Sequence, residues 1–366
     1  MQPNIWNHRK SLSRTSRKIK EGRLTLGFIG GSITDARPRH NWPEPVIAWF
    51  VESFPEVRIV VENAAIGATG SDLAVLRAKR DLTDRGCDIV FVDYAVNDND
   101  MPADYRKRTR EGLVRKLLEG EDRDLVFVYT YCQDMYDAMM TGAIPASIRE
   151  FEQLADHYGA GSVWMGLYAL EENRKGKLRW EDWLPDGLHP TSRGSLVYGE
   201  SVIAFLKQEL SRSADPGWDE VRAAGIVEPL HERHWGESVL LPLDRIETEG
   251  PWTLRRFPYY EWIDMVLETA AAGASLSFTF EGRGLALGFD FGKASAEFRY
   301  RIDGGDWKTV ERDRPDWVGN DGWFRLSFLG DELERESHSC ELEVLHGNKP
   351  GCTGTNFRLG LVGVIR

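Results

Sequence analysis

Only four cysteines occur in 366 residues (Cys87, Cys132, Cys340, Cys352), and no two form a Cys-x-x-Cys pair. That argues against a zinc site built on closely spaced thiolates and against a disulfide-stapled mini-domain; a Cys340–Cys352 bridge stays open. Long apolar runs are also missing, and no stretch approaches the about 20 residues that span a bilayer. Positive charge is in deficit: 46 Lys plus Arg stand against 58 Asp plus Glu, for a formal net charge of −12 and a pI near 5.3. Nucleic acid and anionic membrane both require a basic face, so neither is an expected partner. Nucleotide signatures are absent too. Gly27-Phe28-Ile29-Gly30-Gly31 lacks the dinucleotide spacing, and no Gly-Lys-Ser/Thr follows it. The Gly-x-Ser-x-Gly elbow of the α/β-hydrolases does not occur either.

What is present is enough apolar material, 42% of residues, for well-packed cores, in a chain long enough for two domains. The start is locally basic (Arg9, Lys10, Arg14, Arg17, Lys18, Lys20, Arg23), but the apolar run after it is too short for a leader and no small-residue cleavage site follows. A solvated N-terminal segment packed beside the first strand, in a soluble cytoplasmic protein, is the expectation. Leu24–Ile29, Arg58–Glu62, Asp88–Tyr94, Leu125–Tyr131 and Ser162–Leu167 read as strands. Between and after them, Pro43–Phe54, a helix from Ser71 or Asp72, Asp104–Glu119, Ile148–Tyr158 and Ser192–Leu210 read as helices. Apolar strands alternating with helices predict a flavodoxin-like three-layer α/β/α sandwich with a five-stranded parallel sheet over residues 1–212. Residues 213–237 turn polar and irregular, as a linker or strap. From 238 to 366 the period changes to two, as in Leu276-Ser277-Phe278-Thr279-Phe280, and Asp303-Gly304-Gly305 signals a hairpin. This predicts an all-β sandwich of jelly-roll type.

Four loops after strands of the first domain carry the chemistry. Gly30-Gly31-Ser32-Ile33-Thr34 places a hydroxyl on a tight turn at the end of strand one. Asn63-Ala64-Ala65-Ile66-Gly67 follows strand two, Ala95-Val96-Asn97-Asp98 strand three, and Asp186-Gly187-Leu188-His189-Pro190 strand five. Strand order 2-1-3-4-5 makes strands one and three neighbours, so Ser32 and Asn97 would face one crevice. A serine alone at such a turn is ordinarily a turn residue, Asn97-Asp98 alone an Asx-turn, and Gly67 alone a turn glycine. The joint pattern carries more. The four blocks, in this order, resemble those of the SGNH hydrolases, also called GDSL esterases and lipases, over residues 22–210.

The chemistry fits that resemblance. Ser32 needs a base, His189. Asp186, three residues earlier, folds back to orient the imidazole. The resemblance implies an oxyanion hole from the Ser32 amide, the Gly67 amide and the Asn97 side chain, with no metal or cofactor. Gly31 and Ala95 depart from the family's Asp and Gly; neither carries the proposed chemistry, so the expected effect is on loop shape. Trp180 and Trp183 would pack on a substrate ring, and Asp98 would line a polar mouth.

The expected activity is a serine esterase removing short, chiefly acetyl, groups from carbohydrates or similar polar alcohols. The substrate would be a small molecule or oligosaccharide, and homo-oligomerisation is left open. The alternatives are a carbohydrate-binding protein with a vestigial site, using Trp307, Trp317 and Trp323, and an SGNH lipase or thioesterase acting on longer chains. His231-x-x-His234 with Glu228 and Glu232 lacks a further ligand block and reads as surface.

Overall fold

The protein is described by a computed structural model over residues 3–37, 40–120, 123–212, 227–260, 262–290, 292–310, 318, 322–349 and 352–366. Two compact units divide the chain, Met1–Gly236 and Glu237–Arg366. Most of the expected linker, residues 213–226, lies outside the described residues, as does Trp317.

In the first unit the strands are β1 (Trp6–Asn7), β2 (Arg23–Gly30), β3 (Arg58–Asn63), β4 (Ile89–Asp93), β5 (Asp124–Val128) and β6 (Gly161–Val163), in sheet order β1-β6-β5-β4-β2-β3. The strands β2 to β6 pair in parallel and realise the 2-1-3-4-5 order. The α-helices are α1 (Ser13–Lys20), α2 (Pro43–Ser53), α3 (Ser71–Ala78), α4 (Ala103–Leu118), α5 (Tyr136–Met140), α6 (Ala146–Tyr158), α7 (Met165–Arg174), α8 (Trp180–Trp183) and α9 (Ser192–Arg212). Leu24, Leu26, Phe28 and Ile29 of β2 are fully buried, as a central strand covered on both faces requires. Phe28 stacks on Phe91 of β4 at 5.2 Å, and Trp42 meets both rings edge-on.

Two expectations are corrected here. The N-terminal segment is not merely solvated beside the first strand: β1 adds an antiparallel sixth strand on β6, at the opposite edge from β3. The fifth parallel strand stops at Val163, and Met165 opens α7, because a short apolar run satisfies a buried helix face as well as a strand. Residues 227–236 dock on the first unit. Glu111 of α4 accepts the Leu230 and His231 amides, and Trp235 donates its amide to the Arg108 carbonyl. His231 and His234 sit in that docked turn.

The second unit holds β7 (Val239–Leu240), β8 (Glu247–Glu249), β9 (Thr253–Arg256), β10 (Met265–Thr269), β11 (Ser275–Gly282), β12 (Gly284–Asp290), β13 (Glu297–Ile302), β14 (Lys308–Val310), β15 (Phe324–Gly330), β16 (Glu336–Leu345) and β17 (Phe357–Ile365). One sheet runs β15-β12-β17-β10-β9, with β7 also on β17; the other runs β14-β13-β16-β11-β8. All these pairings are antiparallel. Burial alternates along β16, the period-two pattern of a strand with one face in a core. Phe289 and Phe357 from one sheet meet Phe298 from the other at 5.2 to 5.6 Å. The Asp303-Gly304 turn forms as its composition demands, with φ of 52° and 67°. Cys340 and Cys352 are buried free thiols, as are Cys87 and Cys132.

Candidate active site

A parallel sheet gathers the loops that follow its strands at one edge. The Ser32 turn leaves β2 there. The Thr34 and Asp35 amides both donate to the Gly31 carbonyl at 3.1 and 3.0 Å, closing it tightly. Asn41 donates to the Ser32 and Asp35 carbonyls, both at 2.8 Å, and Asn63 to the Thr34 carbonyl at 2.9 Å. From below, Thr34 Oγ1 donates to Asp93 Oδ2 at 2.8 Å. Burial pushes the Asp93 carboxyl up to about 6, against the opposing hydroxyl bonds of Thr34 and Thr130. Ser32 is thus held half-buried on a rigid turn.

The loop between α8 and α9 brings the base. Ser32 Oγ lies 2.9 Å from His189 Nε2, and His189 Nδ1 lies 2.8 Å from Asp186 Oδ2. Asp186 Oδ1 also accepts the His189 and Leu188 amides at 2.7 and 2.9 Å. Partial burial raises the Asp186 pKa, but the His189 side chain and those amides outweigh it, so the carboxyl is held below its ordinary value. The turn depends on Gly187 at φ 77°, and the Gln133 amide fastens its carbonyl at 2.9 Å. Thr191 Oγ1 then accepts the Gly194 amide at 3.3 Å at the start of α9.

The residues of the three expected oxyanion donors lie close to one another around the Ser32 turn. A Cβ added at Gly67 would fall 3.5 Å from Ser32 Cβ. Among the described residues, neither the Ser32 amide nor the Asn97 carboxamide has a hydrogen-bond partner. The Gly67 amide donates instead to Asp35 Oδ2 at 3.2 Å, and Asp35 is itself ion-paired with Arg37. Asp35 was not singled out from the sequence, although it follows Ser32 by three residues. Gly31 matters more than loop shape. A Cβ there would lie 2.1 Å from Asn97 Oδ1, so the Asn97 carboxamide rests on the space that a side chain at 31 would fill.

Two expected substrate contacts are corrected. Trp183 is fully buried and donates to the Tyr198 hydroxyl at 3.0 Å, so it is core. Asp98 is fully buried as well, paired with Arg110 Nε at 2.7 Å and accepting the Ser71 amide at 2.9 Å. Trp180 is half-buried, edge-on to Trp183 and to the exposed Tyr136. In the second unit, Trp307 lies against the Arg299 and Arg301 guanidiniums, and Trp323 packs on the sandwich core. Among the described residues no three His, Cys, Asp or Glu side chains group as metal ligands, and no helix is long and apolar enough to cross a membrane.

No protein-family model and no curated protein sequence matches the chain. Solved structures do. A two-domain esterase active on acetylated mannans aligns over 98% of this chain and 96% of its own, at 20% identity and a TM-score of 0.82. The same description, co-crystallised with mannopentaose, aligns over the same shares at 21% identity and a TM-score of 0.80. The chain shares the two-domain fold of that esterase: a doubly wound α/β unit, with the Ser32, Gly67, Asn97 and His189 blocks in the loops beyond its parallel sheet, followed in sequence by an antiparallel β-sandwich.

Proposed function

We propose that this chain is a serine esterase that removes acetyl and similarly short acyl groups from carbohydrates. The observation that carries the reading is the Ser32–His189–Asp186 relay, with 2.9 and 2.8 Å links, beside two open donors. Ser32 Oγ attacks the ester carbonyl carbon while its proton passes to His189 Nε2. Asp186 holds Nδ1–H and stabilises the imidazolium. The oxyanion is received by the Ser32 amide and the Asn97 carboxamide, and the Gly67 amide exchanges Asp35 for it. Collapse breaks the ester bond, and His189 gives the proton to the departing sugar oxygen, which leaves as the hydroxyl. Water, deprotonated by His189, then attacks the acyl-enzyme carbonyl; as the bond to Ser32 Oγ breaks, His189 returns that proton to Oγ and the carboxylic acid leaves.

The solved structures of an esterase active on acetylated mannans support an acetylated polysaccharide as the substrate class. Residues 1–212 would form the hydrolase domain and 238–366 an accessory domain, with the buried free thiols favouring a reducing, cytoplasmic setting. A panel of acetylated sugars and p-nitrophenyl esters of rising chain length tests the reading. Rates should fall with chain length; a rise toward long chains would favour a lipase, and glycan binding without turnover a binding protein.

A further inference from the structure

Beneath the loops that build the site lies a buried ion pair that this mechanism does not use. The side chains of Arg110, on α4, and Asp98, next to Asn97, are both fully buried, with Nε donating to Asp98 Oδ2 at 2.7 Å. Asp98 Oδ1 accepts the amide of Ser71, the first residue of α3, which follows the Gly67 loop. Arg110 Nη1 donates to the Ser147 carbonyl at 2.9 Å and Nη2 to the Ser147 hydroxyl at 2.7 Å. That hydroxyl donates onward to the Ala95 carbonyl at 2.5 Å. Arg110 Nη2 also reaches the Tyr94 carbonyl at 3.5 Å, and the Phe151 ring lies 4.0 Å from the guanidinium. The segment Tyr94–Asp98 is therefore tied at three points around Asn97.

Desolvating two charges offsets most of what their attraction contributes, so a buried pair is weak evidence of stability. Its contacts suggest another use. Among the described residues the Asn97 carboxamide has no hydrogen-bond partner, so its position depends on its backbone and on packing over Gly31. We propose that Arg110 is a positioning residue: through Asp98, Ser147 and the Ala95 carbonyl it holds Asn97 where the developing oxyanion needs a donor. This rests on the reading of Asn97 as an oxyanion donor.

The test is a double-mutant cycle read with p-nitrophenyl acetate. Arg110→Lys keeps the charge but cannot fork to Asp98 and Ser147 together. It should lower kcat about 10-fold or more with KM within about twofold, since small misplacements of a donor are costly. In an Asn97→Ala background the same change should cost less than about half as much on a logarithmic scale. An undiminished loss in that background, or an effect confined to KM, overturns the proposal. Where thermal unfolding shows that Arg110→Lys does not fold, Ser147→Ala replaces it in the same cycle, judged by the same ratio. Ser32→Ala is measured alongside. If it stays active, the site reading and this inference both fall. If it is inactive while the Arg110 and Asn97 losses simply add, the site stands and the positioning role fails.

Discussion

The two units handle charge in opposite ways. The first buries it: Asp98–Arg110 is wholly inside, and Arg9–Glu152 and Arg14–Asp88 nearly so. The second packs an apolar core between its sheets and lays Arg299–Glu343 and Arg301–Glu341 across an outer face, though Arg283–Asp331 is buried. Buried pairs impose direction at a desolvation cost, whereas exposed pairs contribute little and restrain little. The unit proposed to hold five groups in register around an ester bears that cost. The sandwich relies chiefly on ring packing and the alternation of its strands.

The largest effect should come from Ser32→Ala, which removes the proposed nucleophile: hydrolysis of an acetyl ester should drop about 10³-fold or more with the unfolding curve unchanged. Near-normal rates would erase the functional side of the contrast. Phe298→Ala should come next, destabilising the sandwich by about 3–5 kcal/mol in denaturant titrations, because its ring joins both sheets. Hydrolysis under folding conditions should hold. A parallel fall in rate would mean that the sandwich shares in the site.

Gly31→Ala should lower kcat about 10²-fold, close to Asn97→Ala, because the added methyl displaces that donor. A neutral result would show that Asn97 moves aside freely. A smaller effect is expected at His338, whose ring nitrogens face the Glu334 carbonyl at 2.9 Å and Asp303 Oδ2 at 2.6 Å. The carbonyl first, then the carboxylate, raises its pKa above the ordinary 6.5. A raised folded-state value means stabilisation that is complete below the unfolded value and lost as pH climbs through the folded one. The melting-temperature gap between wild type and His338→Gln should thus be widest near about pH 5.5 and shrink toward about pH 9. A gap that widens with pH would contradict this. Least of all, Arg301→Ala should cost under about 1 kcal/mol, as exposed pairs do; a larger loss would put the outer face on a par with the buried pairs.

Much of this was legible in advance. The alternation of strands and helices, the change of period near residue 238 and the Ser32, Gly67, Asn97, Asp186 and His189 blocks all follow from local pattern, and the 2-1-3-4-5 order came with the expected fold class. What misled was burial. Trp183 lies beside the His189 loop in sequence, yet its ring is core against Tyr198. Asp98 adjoins a site residue but points inward, since neighbouring residues on a turn present opposite faces. The tie between Asp35 and the Gly67 amide, and the seat of Asn97 on Gly31, join different loops and leave no mark in either alone.

By itself the sequence determined which candidate residues stand in the loops after the strands and in what order, because periodicity and turn chemistry are local. The tertiary structure decided which donors are open, which carboxylate is inside and why residue 31 bears no side chain. Those outcomes depend on distances between loops brought together only when the parallel sheet closes, and no local preference encodes them.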